Sequence, residues 1–258
     1  MSRLRAILWD VDGTLAETER DGHRVAFNLS FSDLGLPWHW EEGRYGELLA
    51  VTGGRERLLA DMATRTDAPA TAGEREALAR EIHHRKNQFY VELVRQARLP
   101  LREGVVALFE EAGSAGLHQA IVTTTSRSNI DALLRVQLGA RWRERFAALV
   151  CGEDVQHKKP DPEAYLKALA ELGLCPQATV ALEDSPVGLA AARAAGVPAI
   201  VARSSYFANA SLIGALAVGP GLHDRRGWRP PPGRGSGRVR LEDLLGWHAQ
   251  IDLVDQVN

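Results

Sequence analysis

The sequence predicts an α/β fold: a parallel sheet covered by helices on both faces, interrupted once by an all-helical insertion. Three observations carry this expectation. A short apolar run of strand length, "LRAILWD" (4–10), opens the chain. From residue 17 to 98 only helical periodicity follows, with no convincing strand. After residue 100 helices and strands alternate, the rhythm that a parallel sheet with crossover helices produces.

The elements follow in chain order. In "HRVAFNLSFSDLG" apolar residues at 25, 26, 29 and 34 mark one helical face, with Gly35 as its stop. "ERLLADMATR" and "EREALAREIHHRKNQFYVELVRQ" repeat the pattern. Helix "VVALFEEAGSAG" then precedes strand "HQAIVTT", helix "NIDALLRVQLG" precedes strand "FAALVCG", helix "PEAYLKALAELG" precedes strand "TVALED", and helix "PVGLAAARAAG" precedes strand "PAIVA". Gly116, Gly139, Gly173 and Gly196 supply the expected left-handed helix ends. The organisation expected is a first core segment at 1–16, a helical unit at 17–98 and a second core segment at 99–258. Such an insertion sits over the carboxyl ends of the strands, where open α/β sheets bind ligands. "GPGLHDRRGWRPPPGRGSGR" (219–238) has too much Pro and Gly for a packed element and reads as a flexible loop, before a final helix at roughly 241–250.

Composition narrows the class. With 258 residues, 45% of them hydrophobic and 25% charged, the chain can bury an ordinary core. A net charge of −2 gives no electrostatic case for nucleic acid. Two cysteines are too few for a disulfide framework or a thiolate metal cage and fit a reducing cytosol. The N-terminus lacks the apolar stretch of a signal peptide, and no 18-residue apolar run suggests a membrane span. A cytoplasmic protein without membrane or nucleic-acid partners, and monomeric, is expected.

The chemistry gathers at the strand ends. Asp10 and Asp12 start out on one side of the first strand, and two carboxylates so placed repel unless a cation sits between them. The next core strand ends in Thr123, Thr124 and Thr125; Lys158 and Lys159 follow the third; Glu183 and Asp184 end the fourth. Taken singly, these are turn residues, caps and solvated charges. Parallel strands bring them to one edge, where acids for a hard divalent cation, with hydroxyl and ammonium donors for phosphate, make a phosphoryl-transfer site.

"DVDGT", the strand ending in Thr123, the Lys159-Pro pair and "EDS" resemble the four ordered motifs of the haloacid dehalogenase superfamily, over nearly the whole chain. "GTLAETE", "HRVAFN", "TGGRER", "TTTS", "KKPDPE" and "ALEDSPVGL" are similar to the CbbY-type sugar-phosphate phosphatases. The segment beyond 219 departs from that pattern. The resemblance implies a Rossmann-like core with an all-helical cap of the first (C1) class. It implies a Mg²⁺-dependent phosphatase, with xylulose 1,5-bisphosphate as the expected substrate. Asp10 would be the nucleophile and Asp12 the acid and base, held protonated at the first step. Thr123 and Lys159 would bind the transferring phosphoryl group; Asp10, Asp12, Asp184 and Glu183 would hold or support the metal. For the sugar, the candidates are Glu17, His23, Thr124 and Thr125. For a second phosphate they are Gly53, Gly54 and Arg55 of "TGGRER", and Arg102. "HHRK" (83–86) reads as a solvated face, with Lys86 a secondary candidate, and Lys158 as a surface charge. The rival functions are a β-phosphoglucomutase, a phosphoglycolate phosphatase and, in another class, a non-catalytic sugar-phosphate-binding regulator.

Overall fold

The computed structural model describes residues 4–96, 99–233 and 235–251. Its centre is a six-stranded parallel sheet: β1 (Ala6–Trp9), β2 (His118–Val122), β3 (Ala148–Val150), β4 (Thr179–Glu183), β5 (Ala199–Ala202) and β6 (Ala217–Gly219). The order across the sheet is β3-β2-β1-β4-β5-β6. β1 lies in the middle because it is apolar on both faces, and all four of its residues are buried. Ile7 and Trp9 enter one core cluster and Leu8 the other, the two-residue alternation of a strand packed from both sides. Trp9 stands in register with Ile121 on β2 and Leu182 on β4. The residues that follow these three therefore leave the sheet together, along one edge.

Between β1 and β2 run α1 (Arg24–Asp33), α2 (Glu42–Leu48), α3 (Gly54–Met62), α4 (Ala72–Arg95) and α5 (Val105–Ser114). The first four build a cap with its own aromatic cluster of Phe27, Phe31, Trp38, Trp40 and Tyr45. Asp61 of α3 organises it, accepting from Trp40 Nε1 at 2.9 Å and pairing with Arg44 at 2.6 Å. α4 begins with a capping box between Thr71 and Glu74. It serves both units: Ala79 and Ile82 join the cap cluster, whereas Tyr90, Leu93 and Val94 join the main core. The boundary expected at residue 98 falls outside the described residues.

The remaining helices are α6 (Arg127–Leu138), α7 (Glu163–Leu172), α8 (Pro186–Ala194) and α9 (Leu241–Ala249). Gly116, Gly139, Gly173 and Gly196 all take positive φ. No helix among the described residues is long and apolar enough to cross a membrane.

Two features differ from the sequence reading. Strand β6 was not anticipated, since it runs directly into the Gly- and Pro-rich segment that reads as a loop from residue 219. The segment 219–238 is not a free loop where it is described. Val218 and Arg229 exchange backbone hydrogen bonds at 2.9 and 2.8 Å. Trp228, 3% exposed, stacks on Trp247 of α9 at 4.8 Å between centroids and donates its Nε1 to the Gly221 carbonyl at 3.1 Å. Arg225 is buried against Asp243 at 2.7 Å. Glycines and prolines set the path, while one Trp and one Arg anchor it. Trp228→Ala is expected to destabilise the protein by about 3–5 kcal/mol, as loss of a buried aromatic ring does. Urea unfolding checks this, and a loss under about 1 kcal/mol would show that the segment contributes little to stability.

Candidate active site

Asp10 follows the last residue of β1, and its backbone N–H still bonds the Leu182 carbonyl at 3.0 Å. The chain then turns tightly, with Gly13 N bonded to Ala16 O at 2.8 Å. Gly13 has φ +84°, and a Cβ there would overlap the Asp184 carboxylate, so the backbone passes directly beneath that acid. Thr123 caps β2, Lys159 arrives from the loop after β3, and Glu183 and Asp184 end β4.

Lys159 ties these elements together. Its Nζ lies 2.8 Å from Asp10 Oδ1, 2.6 Å from Glu183 Oε1 and 2.8 Å from the Val122 carbonyl, with only 4% of the residue exposed. Burial opposes its charge, but Asp10 and Glu183 outweigh burial and raise its pKa. Tyr165 on α7 donates to the same Glu183 oxygen at 2.5 Å and places its ring 5.0 Å from the ammonium. Sequence reasoning missed this tyrosine, although its position six residues after Lys159, on the buried face of α7, was the available signal.

Asp10, Glu183 and Asp184 each bring a carboxylate oxygen within 4.8 Å of the others. Burial, with repulsion from Glu183 and Asp12, pushes Asp10 up to about 7 despite Lys159. Burial and the charges of Asp10 and Glu183 raise Asp184 well above the carboxylate range. Glu183 Oε2 is buried and has no hydrogen-bond partner among the described residues. Three crowded acids with one shared lysine are short of positive charge, and this donor set fits a hard divalent cation.

Asp12 is in a different environment. Thr18 Oγ1 donates to its Oδ1 at 2.5 Å, and His23 Nε2 lies 3.0 Å from the same oxygen. A π-type helical turn at Glu19–His23 brings the histidine there, stacked on Tyr90. Burial opposes ionisation, but His23, Thr18 and Lys86 together lower Asp12 to about 2. Before any cation is bound, burial and the neighbouring acids favour the protonated form of Asp10, whereas Asp12 is held in its ionised form. The reason is that Asp10 lies among acids and Asp12 among hydrogen-bond donors and a cation.

Core and cap enclose one pocket of about 200 Å³. Asp10, Asp12, Thr123, Lys159, Glu183 and Asp184 form its core wall; Thr124, Thr125 and Asn129 flank them. The cap wall includes His23, Gly53, Gly54, Arg57, His83 and Lys86. Three sequence candidates lie elsewhere. Arg55 is exposed and turns away, because residues two apart on a helix point roughly 200° apart and Arg57 takes the inward direction. Arg57 is held by Tyr45 Oη at 2.6 Å and lies 3.5 Å from Glu19. Arg102 spends its guanidinium on backbone carbonyls of Gly13, Ala202, Arg203 and Pro220. It binds the second cap linker to the core and is not among the residues that line the pocket. Glu17 accepts from Ser205 Oγ at 3.0 Å and is 3.7 Å from Arg102, again outside the pocket.

Lys86 is the more telling cap residue. Only 3% exposed, it sits 5.4 and 5.3 Å from the Phe27 and Tyr90 rings and forms no ion pair among the described residues. Burial lowers its pKa to about 8, against the attraction of Asp12 and Glu19. His83, Lys86 and Tyr90 are spaced three and four apart on one face of α4, the pattern that could have placed them inside.

Comparison with known proteins is decisive for the family. Residues 4–196 match the haloacid dehalogenase-like hydrolases. The chain belongs to this family. Protein CbbY (plasmid) of Cupriavidus necator is 43% identical over 247 residues, covering 95% of this chain and 97% of that protein. A phosphoglycolate phosphatase of Xanthomonas campestris is 31% identical over 78% of this chain and 84% of its own. Among solved structures, CbbY (mutant D10N) of Rhodobacter sphaeroides in complex with xylulose-(1,5)bisphosphate superposes with a TM-score of 0.77 at 42% identity. It covers 82% of this chain and 92% of that one. This haloacid dehalogenase-like hydrolase is a phosphatase acting on phosphorylated sugars.

Proposed function

We propose that the protein is a Mg²⁺-dependent bisphosphatase that converts xylulose 1,5-bisphosphate to xylulose 5-phosphate through an aspartyl phosphate on Asp10. The observation that carries the reading is a pocket with a buried lysine on each of its two walls. Lys159 stands at the core wall beside Asp10, and Lys86 stands at the cap wall with no ion pair among the described residues. The likeness to the Rhodobacter sphaeroides protein crystallised with that bisphosphate supports the substrate.

Asp10, Asp184 and Glu183 would hold Mg²⁺, which when bound neutralises phosphoryl charge and favours the ionised form of Asp10. Asp10 attacks phosphorus in line, its Oδ–P bond forming as the bond to the sugar oxygen breaks. Lys159 and Thr123 bind the equatorial oxygens as charge shifts. The charge of the incoming phosphate raises the proton affinity of Asp12, which takes up a proton as substrate binds, gives it to the leaving alkoxide and later takes one from the water that hydrolyses the aspartyl phosphate. His23, bonded to Asp12, fixes the direction of that carboxyl group. Lys86 binds the phosphate that does not react.

The test compares phosphate release from xylulose 1,5-bisphosphate, ribulose 1,5-bisphosphate, β-glucose 1-phosphate and phosphoglycolate, for wild type and Lys86→Ala. A charge-assisted hydrogen bond to phosphate is worth about 1.5–3 kcal/mol, so kcat/KM for the bisphosphate should fall roughly 10- to 150-fold. Phosphoglycolate, which lacks the second phosphate, should change by less than about threefold. The pH profile carries a sign. Lys86 is charged below about 8 in the free enzyme, so bisphosphate kcat/KM should hold at lower pH and decline above it. Lys86→Arg stays charged and should abolish the decline. Equal losses on both substrates, or a decline that survives in Lys86→Arg, would remove Lys86 from the second phosphate site. Preference for phosphoglycolate in wild type would overturn the bisphosphatase reading itself.

A further inference from the structure

Lys158 precedes the catalytic lysine and lines the same pocket, but its ammonium is engaged on the cap. Its Nζ lies 2.7 Å from Glu56 Oε1, in the first turn of α3 on the cap. Among the described residues, the other charged contacts between the cap segment and the core segments are Glu17 with Arg102 at 3.7 Å and His23 with Asp12 at 3.0 Å, both close to where the chain enters or leaves the cap. The Lys158–Glu56 pair is instead made across the pocket wall, and its two members are 102 residues apart in the chain. Both side chains are partly exposed, at 26% and 38%.

The glycine pair beside it agrees with a contact that the fold protects. Gly53 has φ +93°, and a Cβ there would overlap the Glu56 carboxylate and come within 2.6 Å of Lys158 Nζ. Any side chain at 53 would displace the pair as well as strain the backbone. On the core side, the loop carrying Lys158 is fixed at its next residue, since Lys159 bonds Asp10, Val122 and Glu183. Movement of the cap away from the core must break the Lys158–Glu56 contact, and making it presses the cap against the loop that presents Lys159.

We propose that Lys158 and Glu56 form the latch that holds the cap shut on the core, and that Lys158 is a positioning residue for phosphoryl transfer, acting through Glu56 rather than by binding phosphate. The inference rests on the phosphatase activity but not on which sugar is hydrolysed.

A charge swap tests it. Lys158→Glu and Glu56→Lys each bring like charges together at a contact that is 2.7 Å in the wild type. Each single variant should lose at least about 30-fold in kcat/KM on xylulose 1,5-bisphosphate, and the double variant should return to within about threefold of wild type. A phosphate-binding lysine would not be rescued by a lysine on the cap. Hydrogen exchange of the free protein at residues 52–57 reads the latch without any turnover. Exchange should quicken in both single variants and return to the wild-type rate in the swap. The milder pair Lys158→Met and Glu56→Gln serves if reversal impairs folding: the double should be no worse than the poorer single. Additive losses, a harmless Glu56 variant beside a damaging Lys158 variant, or unchanged exchange in the single variants would overturn the latch. Absence of phosphate release in wild type would count against the phosphatase reading, and the exchange result would still decide the latch.

Discussion

Asp10→Asn is expected to lower phosphate release by at least about 10³-fold, as removal of a covalent nucleophile does. The amide keeps the shape of the carboxylate and can still meet Lys159, whose Nζ is 2.8 Å from Oδ1. Its nitrogen lone pair is delocalised into the carbonyl and its oxygen is uncharged, so neither atom is a competent nucleophile toward phosphorus. The substitution also removes one of three crowded acids, so the folded protein should lose no stability. Burial raises Asp10 to about 7 in the pocket, above its usual value near 4 in the unfolded chain. A buried acid with a raised pKa costs stability as pH climbs from the unfolded value through the folded one, and the asparagine does not. The variant should therefore melt at or above the wild-type temperature at pH 8, with the difference shrinking below pH 4. Turnover near the wild-type rate in a contaminant-free preparation would remove Asp10 from the nucleophile's role. A lower melting temperature at pH 8 would show that the ion pair with Lys159 outweighs the acid crowding.

Lys159→Met should impair both chemistry and folding. The methionine fills similar volume but leaves Asp10 and Glu183 buried without their shared cation. Breaking a buried pair by removing one partner costs about 3–5 kcal/mol. Loss of one preorganised donor at the transferring group costs a further factor of about 10²–10³ in kcat. Added Mg²⁺ should restore part of the stability by neutralising the same acids, and none of the catalytic factor. Thermal melts with and without Mg²⁺, beside single-turnover phosphate release, separate the two effects. Full kinetic recovery with metal would mean that Lys159 serves only to balance charge.

The core site was legible because its geometry follows from topology. Once "AILW" is a buried central strand between two parallel neighbours, Asp10, Thr123 and Glu183 must emerge side by side. No side-chain detail is needed. The cap was less legible for a physical reason. "RER" in "TGGRER" puts two arginines almost opposite each other on a helix, and only the packing of α3 on α4 decides which turns inward. Arg57 does so because Tyr45 and Glu19, distant in sequence, are there to receive it. Arg102 and Glu17 were misplaced for a related reason: the backbone carbonyls and the Ser205 hydroxyl that engage them leave no trace in local pattern. The segment after 219 was misread because composition alone cannot show that Trp228 has Trp247 to stack on.

That segment has one more effect. A parallel sheet ends in strands whose outer N–H and C=O groups can recruit another chain. β6 would be such a margin, since Ala217–Gly219 pairs inward with β5 and has no further strand outside it. The reciprocal bonds between Val218 and Arg229 occupy that margin at its middle residue. Pro230, Pro231 and Pro232 follow at once and have no N–H to extend a ladder. The proline run that reads as slack in the sequence thus works as a selvedge. It takes up the middle of this edge and leaves fewer free backbone groups there for another strand to pair with, at a place remote from the chemistry.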